Sequence, residues 1–276
     1  MSPKTILVLY SGHDQDQAAL DYVFNLAKMF DARVEGWHIA PDPENIIVPY
    51  AAYGVMPVYP EASIREMETS NEESRKIAET KFLLTVKQMK ANNASFHSTV
   101  GSTEEILAVR GRIADLIVMP RTDENVNYTN AAQGAVFGSG RPVLLIPPGK
   151  HVKKFSGKFL IAWNGSREAA RAVAFALPYM RHNKVSILTN QEGKKFPLSA
   201  SDLKPYLRHH DIHAEILDHM DEGSPLGAAI LNTARMIDAD MIVMGAWSHS
   251  RIREYIIGGV TDYMIHNADL PVLMAH

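Results

Sequence analysis

The feature that most constrains the fold is an internal repeat, in which three segments of the first half recur in the same order in the second. The matching pairs are residues 5–12 with 158–165, residues 114–119 with 239–244, and residues 141–146 with 270–275. Three ordered matches are hard to obtain by chance, so the sequence predicts two copies of one structural unit. A stretch rich in Pro, Gly and Lys, residues 147–157, separates them. We therefore expect one domain over residues 1–150 and another over residues 151–276.

Within each half, short apolar runs without clean alternation are separated by segments of helical periodicity. Such runs are typical of strands that are covered on both faces in a parallel sheet. Strands that alternate with helices imply βαβ units with right-handed crossovers. The predicted fold class is therefore α/β, with two tandem doubly wound parallel sheets of the Rossmann-like type. One helix of the first half is predicted to begin at Thr103, with that residue as its N-cap.

Composition excludes several classes of function. The chain of 276 residues contains no cysteine, which excludes disulfides, thiol nucleophiles and zinc–cysteine sites. A net charge of −3 does not indicate a broad face for nucleic acid. Apolar stretches such as residues 172–180 are far shorter than the roughly 20 residues that span a membrane, and the first residues lack a signal-peptide pattern. We expect a cytoplasmic protein with neither nucleic acid nor membrane as a partner.

The first half carries an insertion over residues 41–60 that is rich in proline and tyrosine. A segment of this length without its own periodicity is either a lid or a docking surface, or it is a proline-stiffened loop that covers the neighbouring domain. We favour the loop interpretation, because proline alone is enough to explain the stiffness.

Ligands of open parallel sheets gather beyond the carboxyl ends of the strands, where the chain order reverses. Two segments of the second half are predicted to lie there, residues 162–166 and the segment that begins at Gly245. Gly258 and Gly259 precede a predicted helix over residues 260–267, and unobstructed amides at a helix start can cradle phosphate. A plain turn explains a glycine pair equally well.

These segments make the sequence resemble the universal stress protein family. Nucleotide-binding members carry Gly-x2-Gly-x9-Gly-Ser/Thr after the fourth strand. This chain has Gly245, then Ser248 where the second glycine is usual, then Gly258, and Gly259 where Ser or Thr is usual. The segment 164–166, Asn-Gly-Ser, is similar to the family's Asp-Gly-Ser after strand one. The resemblance covers nearly the whole chain as two tandem domains, and it implies the adenine nucleotide alpha hydrolase-like version of the Rossmann-like fold.

The resemblance implies an adenine nucleotide, ATP or AMP with or without Mg²⁺, in the second half. Adenine and ribose would contact the ends of strands one and two, at Ala162, Trp163, Asn164 and Thr189. The phosphates would meet Gly245, Ser248, Gly258, Gly259, Val260 and Thr261. Two differences from the family bear on this site. Ser248 has a Cβ in the phosphate path, and Gly259 lacks a hydroxyl that Thr261 would have to replace.

The first half departs further from the family motif. Pro120 stands where the first motif glycine is expected, and Gly134, Gly138 and Gly140 lack the motif spacing. Proline removes an amide donor and fixes φ, which makes it unsuited to a phosphate cradle. We therefore predict a first half that is mainly a structural partner, with nucleotide binding there as the less favoured alternative.

The two halves are expected to form a pair related by a pseudo-two-fold axis. The apolar closing strands, predicted at residues 143–146 and 272–275, could pair edge to edge within a chain or between chains. A homodimer is therefore left open by the sequence.

Other polar clusters suggest weaker alternatives. The loop at residues 11–14 is similar to the Ser-Gly-Gly-x-Asp-Ser loop of ATP pyrophosphatases, without its second glycine and final serine. A strand-to-helix turn with Asp14 near the helix start explains it as well. Four polar residues near another helix end raise a metal hypothesis, namely His209, His210, Asp211 and His213. A helix-to-strand junction would point them apart, so we assign no metal site.

No nucleophile, base and orienting group can be combined from the sequence, so we name no catalytic residue and expect at most slow ATP hydrolysis. The first hypothesis is a stress-response sensor or regulator, in which nucleotide occupancy shifts a conformational equilibrium. The second is a stress protein that binds another small molecule or serves as a scaffold. The third, an ATP pyrophosphatase-type enzyme, depends on the loop at residues 11–14.

Overall fold

A computed structural model describes residues 2–43, 61–121, 128–149, 156–189, 198–218, 224–247 and 259–276. Three features that the sequence singled out lie outside these ranges: most of the proline-rich insertion, Ser248 and Gly258. The residues at both ends of the predicted phosphate loop, Trp247 and Gly259, are described.

The described residues of the first half form strands and helices in alternation. The strands are β1 (Thr5–Leu9), β2 (Arg33–Ala40), β3 (Ala94–Val100), β4 (Leu116–Pro120) and β5 (Val143–Ile146). The α-helices are α1 (Gln17–Phe30), α2 (Glu61–Met89), α3 (Thr103–Arg110) and α4 (Tyr128–Gln133). Short 3-10 helices at Asp14–Asp16 and Gly111–Ile113 precede α1 and follow α3, and a π-helical turn, Gly134–Gly138, continues α4.

The second half repeats this order. Its strands are β6 (Lys158–Trp163), β7 (Lys184–Thr189), β8 (Ala214–Asp218), β9 (Met241–Gly245) and β10 (Val272–Ala275). Its helices are α5 (Arg167–Met180), α6 (Ala200–His209), α7 (Leu226–Met236) and α8 (Val260–Asn267). The predicted α/β class is confirmed.

All ten strands belong to one sheet, in the order β3-β2-β1-β4-β5-β10-β9-β6-β7-β8. Neighbours within each half are parallel. The chain leaves β1 toward β2 on one side and returns to β4 on the other, and β6 lies between β7 and β9 in the same way. The chain order therefore reverses at β1/β4 and at β6/β9, where ligands of doubly wound sheets bind.

The two halves of the sheet meet at β5 and β10, which are antiparallel. Leu144 stands opposite Leu273, with Val143 opposite Met274 and Leu145 opposite Val272. Nearly all of these side chains are completely buried. The inner edge of each parallel sheet is thus covered by the other, and no edge is exposed at the centre of the molecule.

Both faces of the sheet are covered by apolar side chains. In β1, Ile6 and Val8 belong to the cluster on one face, and Leu7 belongs to the cluster on the other. Because successive strand residues point to opposite faces, a strand that is covered on both needs apolar residues at every position. This explains why the apolar runs of the sequence do not alternate.

The N-cap of α3 corrects the sequence prediction. Ser102, and not Thr103, is the N-cap of α3, since its hydroxyl accepts a hydrogen bond from the amide of Glu105 at 3.4 Å. Its backbone is extended, as a capping residue requires, while Thr103 is already helical. Pro225 is the N-cap of α7.

The long helix α2 carries charge on its outer face. Glu72 accepts a hydrogen bond from Arg75 at 2.8 Å and lies 3.5 Å from the ammonium of Lys76, the pair that the i,i+4 spacing indicates. Among the helices of the described ranges, none has both the length and the apolar character that crossing a membrane would need.

Two glycines of the first half serve helix packing. A Cβ added to Gly134 would lie 2.6 Å from the carbonyl oxygen of Glu104, and one added to Gly138 would collide with Ala108. Both contacts are with α3, so the missing side chains let the π-helical turn approach that helix. This packing role accounts for the departure of these glycines from the phosphate-motif spacing.

We expect Leu144→Ala to lower the free energy of unfolding by about 2–5 kcal/mol, because it opens a cavity in the completely buried contact between β5 and β10. Denaturant titration measures the change. Leu83→Ala is the matched control: the same truncation at a side chain that is 53% exposed should change stability by about 0.5 kcal/mol or less. Equal losses in the two variants would contradict this account of the strand pair.

Candidate functional site

The candidate site begins where β6 turns into α5. The side-chain oxygen of Asn164 accepts a hydrogen bond from the amide of Ser166 at 3.1 Å. The hydroxyl of Ser166 in turn accepts from the amide of Ala169 at 3.1 Å and caps the helix. Asparagine therefore closes this turn with its carbonyl oxygen, as an aspartate could with its carboxylate, and leaves the strand end without a negative charge.

Trp163, the last residue of β6, is only 5% exposed. Its indole N–H donates a hydrogen bond to the carbonyl oxygen of Leu198 at 3.1 Å, and its ring belongs to the apolar cluster of one sheet face. Thr189 stands beside it at the end of β7 and is buried as well. In this conformation the indole is a core group that ties the loop before α6 to the sheet.

Gly245 ends β9 directly against the first turn of α5. An added Cβ would lie 2.5 Å from the amide nitrogen of Ala169 and 2.8 Å from the carbonyl carbon of Glu168. Backbone atoms cannot yield to such a contact as a flexible side chain can. The absent side chain thus brings the strand end and the helix start together, which places the turn at Asn164 beside the exit from β9.

Gly259 differs from Gly245 in its surroundings. It is exposed and is the N-cap of α8, with an extended backbone at φ −81°. No atom of the described residues lies within 4 Å of where its Cβ would be. Gly259 therefore adds no side chain that would cover the unpaired amides at the start of α8.

A hydrogen bond connects the exit from β9 to the start of α8. The amide of Trp247 donates to the hydroxyl oxygen of Thr261 at 3.1 Å, although 14 residues separate the two in sequence. Thr261 is 6% exposed. The bond sets the distance between the two ends of the segment over residues 248–258, and it already uses one acceptor position of the hydroxyl that the sequence proposed for phosphate.

The structure brings the described site residues to one end of the sheet. They lie at or next to the carboxyl ends of β6, β7 and β9 or in the first turn of α8: Ala162, Trp163, Asn164, Thr189, Gly245, Gly259, Val260 and Thr261. Ser248 and Gly258, which complete the predicted set, lie outside the described residues.

Sequence reasoning missed Glu168, a carboxylate that is only 3% exposed in the first turn of α5. Its backbone lies against Gly245, and its carboxylate is 3.4 Å from the guanidinium of Arg167. An acidic residue just after a Ser N-cap interacts favourably with the helix dipole. Because that pattern is common, it did not indicate that the side chain of Glu168 is buried beside the site.

The corresponding turn of the first half is fixed by Asp16. One oxygen of its buried carboxylate accepts hydrogen bonds from the amide of Ser11 at 2.9 Å and from the Ser11 hydroxyl. The other oxygen has no hydrogen-bond partner among the described residues. Burial is the largest cause that raises the pKa of Asp16, and the hydrogen bonds from Ser11 oppose it.

Lys81 of α2 holds the same turn from outside. Its ammonium donates to the carbonyl oxygen of Gly12 at 2.8 Å and to the carboxylate of Asp14 at 2.7 Å. The polar groups of this loop therefore bond to the protein itself, which is the geometry of the strand-to-helix turn that the sequence offered as the simpler interpretation.

At the end of β4, Pro120 occupies the position of the first motif glycine and is paired with Ile146 of β5. The next amide, that of Arg121, donates to the carbonyl oxygen of Ile146 at 2.7 Å. Tyr128 is buried beneath this exit, where its hydroxyl donates to the carbonyl oxygen of Met119 at 3.1 Å. Burial raises the pKa of Tyr128 far above its usual range.

No three His, Asp or Glu residues converge into a metal site within the described ranges. At the predicted histidine cluster, the ring of His210 packs edge-on against Tyr206 at 4.8 Å, and Asp211 accepts a hydrogen bond from Arg181 at 3.0 Å. These side chains thus have separate partners.

Two doubly wound units, each with a reversal of chain order at its centre and a helix after its fourth strand, define a tandem α/β protein of the Rossmann-like class. The family model described as the universal stress protein family matches this chain twice, at residues 3–139 and 156–276. The chain belongs to the universal stress protein family, as the sequence resemblance indicated. No protein with a curated description matches it.

Solved structures agree in fold. A universal stress protein from Archaeoglobus fulgidus DSM 4304 superposes with a TM-score of 0.72 at 16% identity, over 100% of this chain and 96% of the other. A functionally unknown protein from Pseudomonas aeruginosa PAO1 gives a TM-score of 0.57 at 14% identity, over 99% and 92% of the two chains. At these identities the likeness establishes the architecture.

We expect Gly245→Ala to lower the free energy of unfolding by about 1–3 kcal/mol, because the new Cβ meets backbone atoms of α5. Gly259→Ser is the matched control. Its side chain enters open space at an N-cap, where serine is favoured, so its stability should equal or exceed that of the wild type. Thermal and denaturant unfolding measure both variants. A neutral Gly245→Ala would show that β9 and α5 are not in tight contact.

His38 predicts a pH dependence of stability. Its ring nitrogens lie 3.1 Å from the hydroxyl of Ser98 and 3.0 Å from that of Ser74, and burial is the main cause that lowers its pKa below the ordinary value of 6.5. The unfolded chain therefore binds a proton more readily than the folded one. The stability that the neutral ring provides is complete above pH 6.5 and is lost as the pH falls below it.

The measurement is denaturant unfolding at pH 7.5 and pH 5.5 for the wild type and for His38→Gln, which keeps hydrogen-bonding capacity without titrating. The difference in unfolding free energy between the two pH values should be smaller in the variant. His209→Gln, on the outer end of α6, is the control and should retain the wild-type difference. An unchanged pH dependence in His38→Gln would contradict the prediction.

Proposed function

We propose that the protein binds an adenine nucleotide, ATP or AMP, in its second half and acts as a stress-response sensor or regulator. The observation that carries the proposal is Gly259, an exposed N-cap at which no described residue lies within 4 Å of the position that a Cβ would take. It lies at the end of the sheet where ligands of this fold class bind.

The start of α8 suits a phosphate for electrostatic reasons. Its first amides lack intrahelical partners, and the helix dipole adds roughly half a positive charge there. No side chain of Gly259 competes for those amides. Asp262, the acidic residue of the first turn, lies 3.5 Å from the ring nitrogen of His266 along the helix. An anionic phosphoryl group would supply the acceptors that this helix start lacks.

The rest of the nucleotide would extend from α8 toward β6 and β7. In this proposal adenine and ribose lie across the strand ends at Ala162, Trp163, Asn164 and Thr189, and the phosphates, with or without Mg²⁺, meet Gly245, Ser248, Gly258, Gly259, Val260 and Thr261. Asn164 offers an uncharged edge to the sugar.

A sensing role fits this site better than rapid turnover. The hydroxyl of Thr261 already accepts a hydrogen bond from the amide of Trp247, which supports a structural role for that hydroxyl. The proposal names no general base and allows at most slow hydrolysis. Ligand binding that favours one arrangement of the two paired halves would shift their equilibrium and report the nucleotide level to a partner in the cytoplasm. The first half would act mainly as the structural partner.

One observation favours a second candidate, a stress protein that binds another small molecule or serves as a scaffold. Trp163 is buried and its N–H is bonded to Leu198, so its ring is not presented as a platform for a base. Mass spectrometry of small molecules that co-purify with the full chain distinguishes the candidates, since a bound adenine nucleotide supports the first and another compound the second.

The test of the first candidate is Gly259→Asp compared with Gly259→Asn. Both side chains fit the open space and both are favoured N-caps, so neither should lower stability. Aspartate places a negative charge at the proposed phosphate position, whereas asparagine has nearly the same shape without the charge. We expect calorimetry with ATP and AMP to show affinity reduced roughly tenfold or more by aspartate relative to asparagine.

Two results would count against the proposal. Equal nucleotide affinity in the two variants would remove the phosphate from the start of α8. A wild-type protein that binds neither ATP nor AMP would exclude the nucleotide and leave the second candidate.

A further inference from the structure

Three aromatic rings from both halves meet beside the exit from β9. Phe137, in the π-helical turn after α4, packs against the indole of Trp247 with ring centroids 5.1 Å apart. The same phenyl ring contacts the imidazole of His276 edge-on at 4.5 Å. Phe137 thus belongs to the first half and touches the second half at the residue where the loop of the proposed nucleotide site begins.

The backbone before this loop is held tightly. The amide of Ala246 donates to the carbonyl oxygen of Ala275 at 2.9 Å, and the ring of His276 donates to the carbonyl oxygen of Ala246 at 3.0 Å. Both polar backbone groups of Ala246 are therefore fixed to the end of β10.

Trp247 adopts a left-handed backbone conformation, with φ at 50°. This region is unfavourable for a large side chain and persists only where surrounding contacts hold it. Among the described residues, Thr261 and Phe137 contribute contacts that do so here. The amide of Trp247 donates to Thr261 in α8, and its indole packs on Phe137. The first contact comes from the second half and the other comes from the first half.

A reciprocal contact crosses the seam in the opposite direction. Arg121, just after β4 of the first half, donates through its guanidinium to the carbonyl oxygen of Ile265 in α8 at 3.4 Å. The two contacts are reciprocal. In each of them, the helical segment that follows the fourth strand of one half touches a residue just after the fourth strand of the other half. The contacts of Phe137 belong to this arrangement, which crosses the pair of strands β5 and β10.

We propose that Phe137 is a positioning residue for the nucleotide site of the second half: it holds Trp247 in the left-handed conformation in which the Trp247 amide reaches the hydroxyl of Thr261 at the start of α8. Its effect on nucleotide affinity rests on the proposed function above, whereas its effect on Trp247 does not. The first half would then contribute a side chain to the geometry of a site whose ligand contacts all lie in the second.

The test uses the full chain with Phe137→Leu, which removes the ring and keeps an apolar side chain at a position that is 37% exposed. Phe137→Tyr keeps the ring and is the rescue variant. Val109→Ala, a truncation on the outer side of α3, is the matched control from the first half. Two measurements are made on each protein, hydrogen exchange without ligand and calorimetry with ATP.

Without ligand, the amide of Trp247 should exchange roughly two- to tenfold faster in Phe137→Leu, the factor that corresponds to loss of an aromatic pair. Exchange in β4 should stay at the wild-type rate, since a general loss of stability would accelerate both. Phe137→Tyr and Val109→Ala should both resemble the wild type. An unchanged rate at Trp247 in Phe137→Leu would overturn the positioning role, whether or not any nucleotide binds.

With ATP, Phe137→Leu should weaken binding by a similar factor, and Phe137→Tyr should restore it. Wild-type affinity in Phe137→Leu would overturn the proposal while leaving the nucleotide site intact. A wild type that does not bind ATP or AMP would instead reject the proposed function, and the exchange rate of the Trp247 amide would then decide the positioning role by itself.

Discussion

The antiparallel pairing of β5 with β10 is the interaction on which the rest of the molecule depends. It joins two parallel sheets into one and buries the inner edge of each against the other. The described residues also contact each other across the halves at other points, among them the edge-on packing of Phe30 on Tyr179 at 5.2 Å and the ring contact of Phe137 with Trp247. Because both strands are buried on both faces, this pairing excludes water from the whole centre of the sheet.

Glycine has two opposite uses in this protein, and the difference between them locates the candidate site. At Gly134, Gly138 and Gly245 the missing Cβ is filled by a neighbouring element, so those positions allow close packing. At Gly259 nothing described lies within 4 Å, so that position leaves a helix start open. The second kind suits the helix start to a ligand that needs unobstructed backbone amides. The motif spacing in the sequence does not distinguish these uses, because both require the same residue type.

The architecture could be predicted from the sequence because it depends on local patterns, namely apolar runs, helical periodicity and their repetition. The strand ends at Asn164 and Gly245 followed from the same patterns. The bond from Trp163 to Leu198 and the ring contact of Phe137 with Trp247 could not, since partners 35 or 110 residues apart leave no periodic signal. Adjacent residues of similar chemistry also mislead, as at α3, where two hydroxyl residues compete for one cap.

The junction of two halves within one chain has an evolutionary consequence. In a symmetric pair of identical subunits, any substitution near the axis is present twice, and both copies must be tolerated together. Here Val143–Ile146 faces a strand of different sequence, Val272–Ala275, so each side can change alone. Because both units lie in one chain, no symmetry requires a change on one side of the seam to be matched on the other.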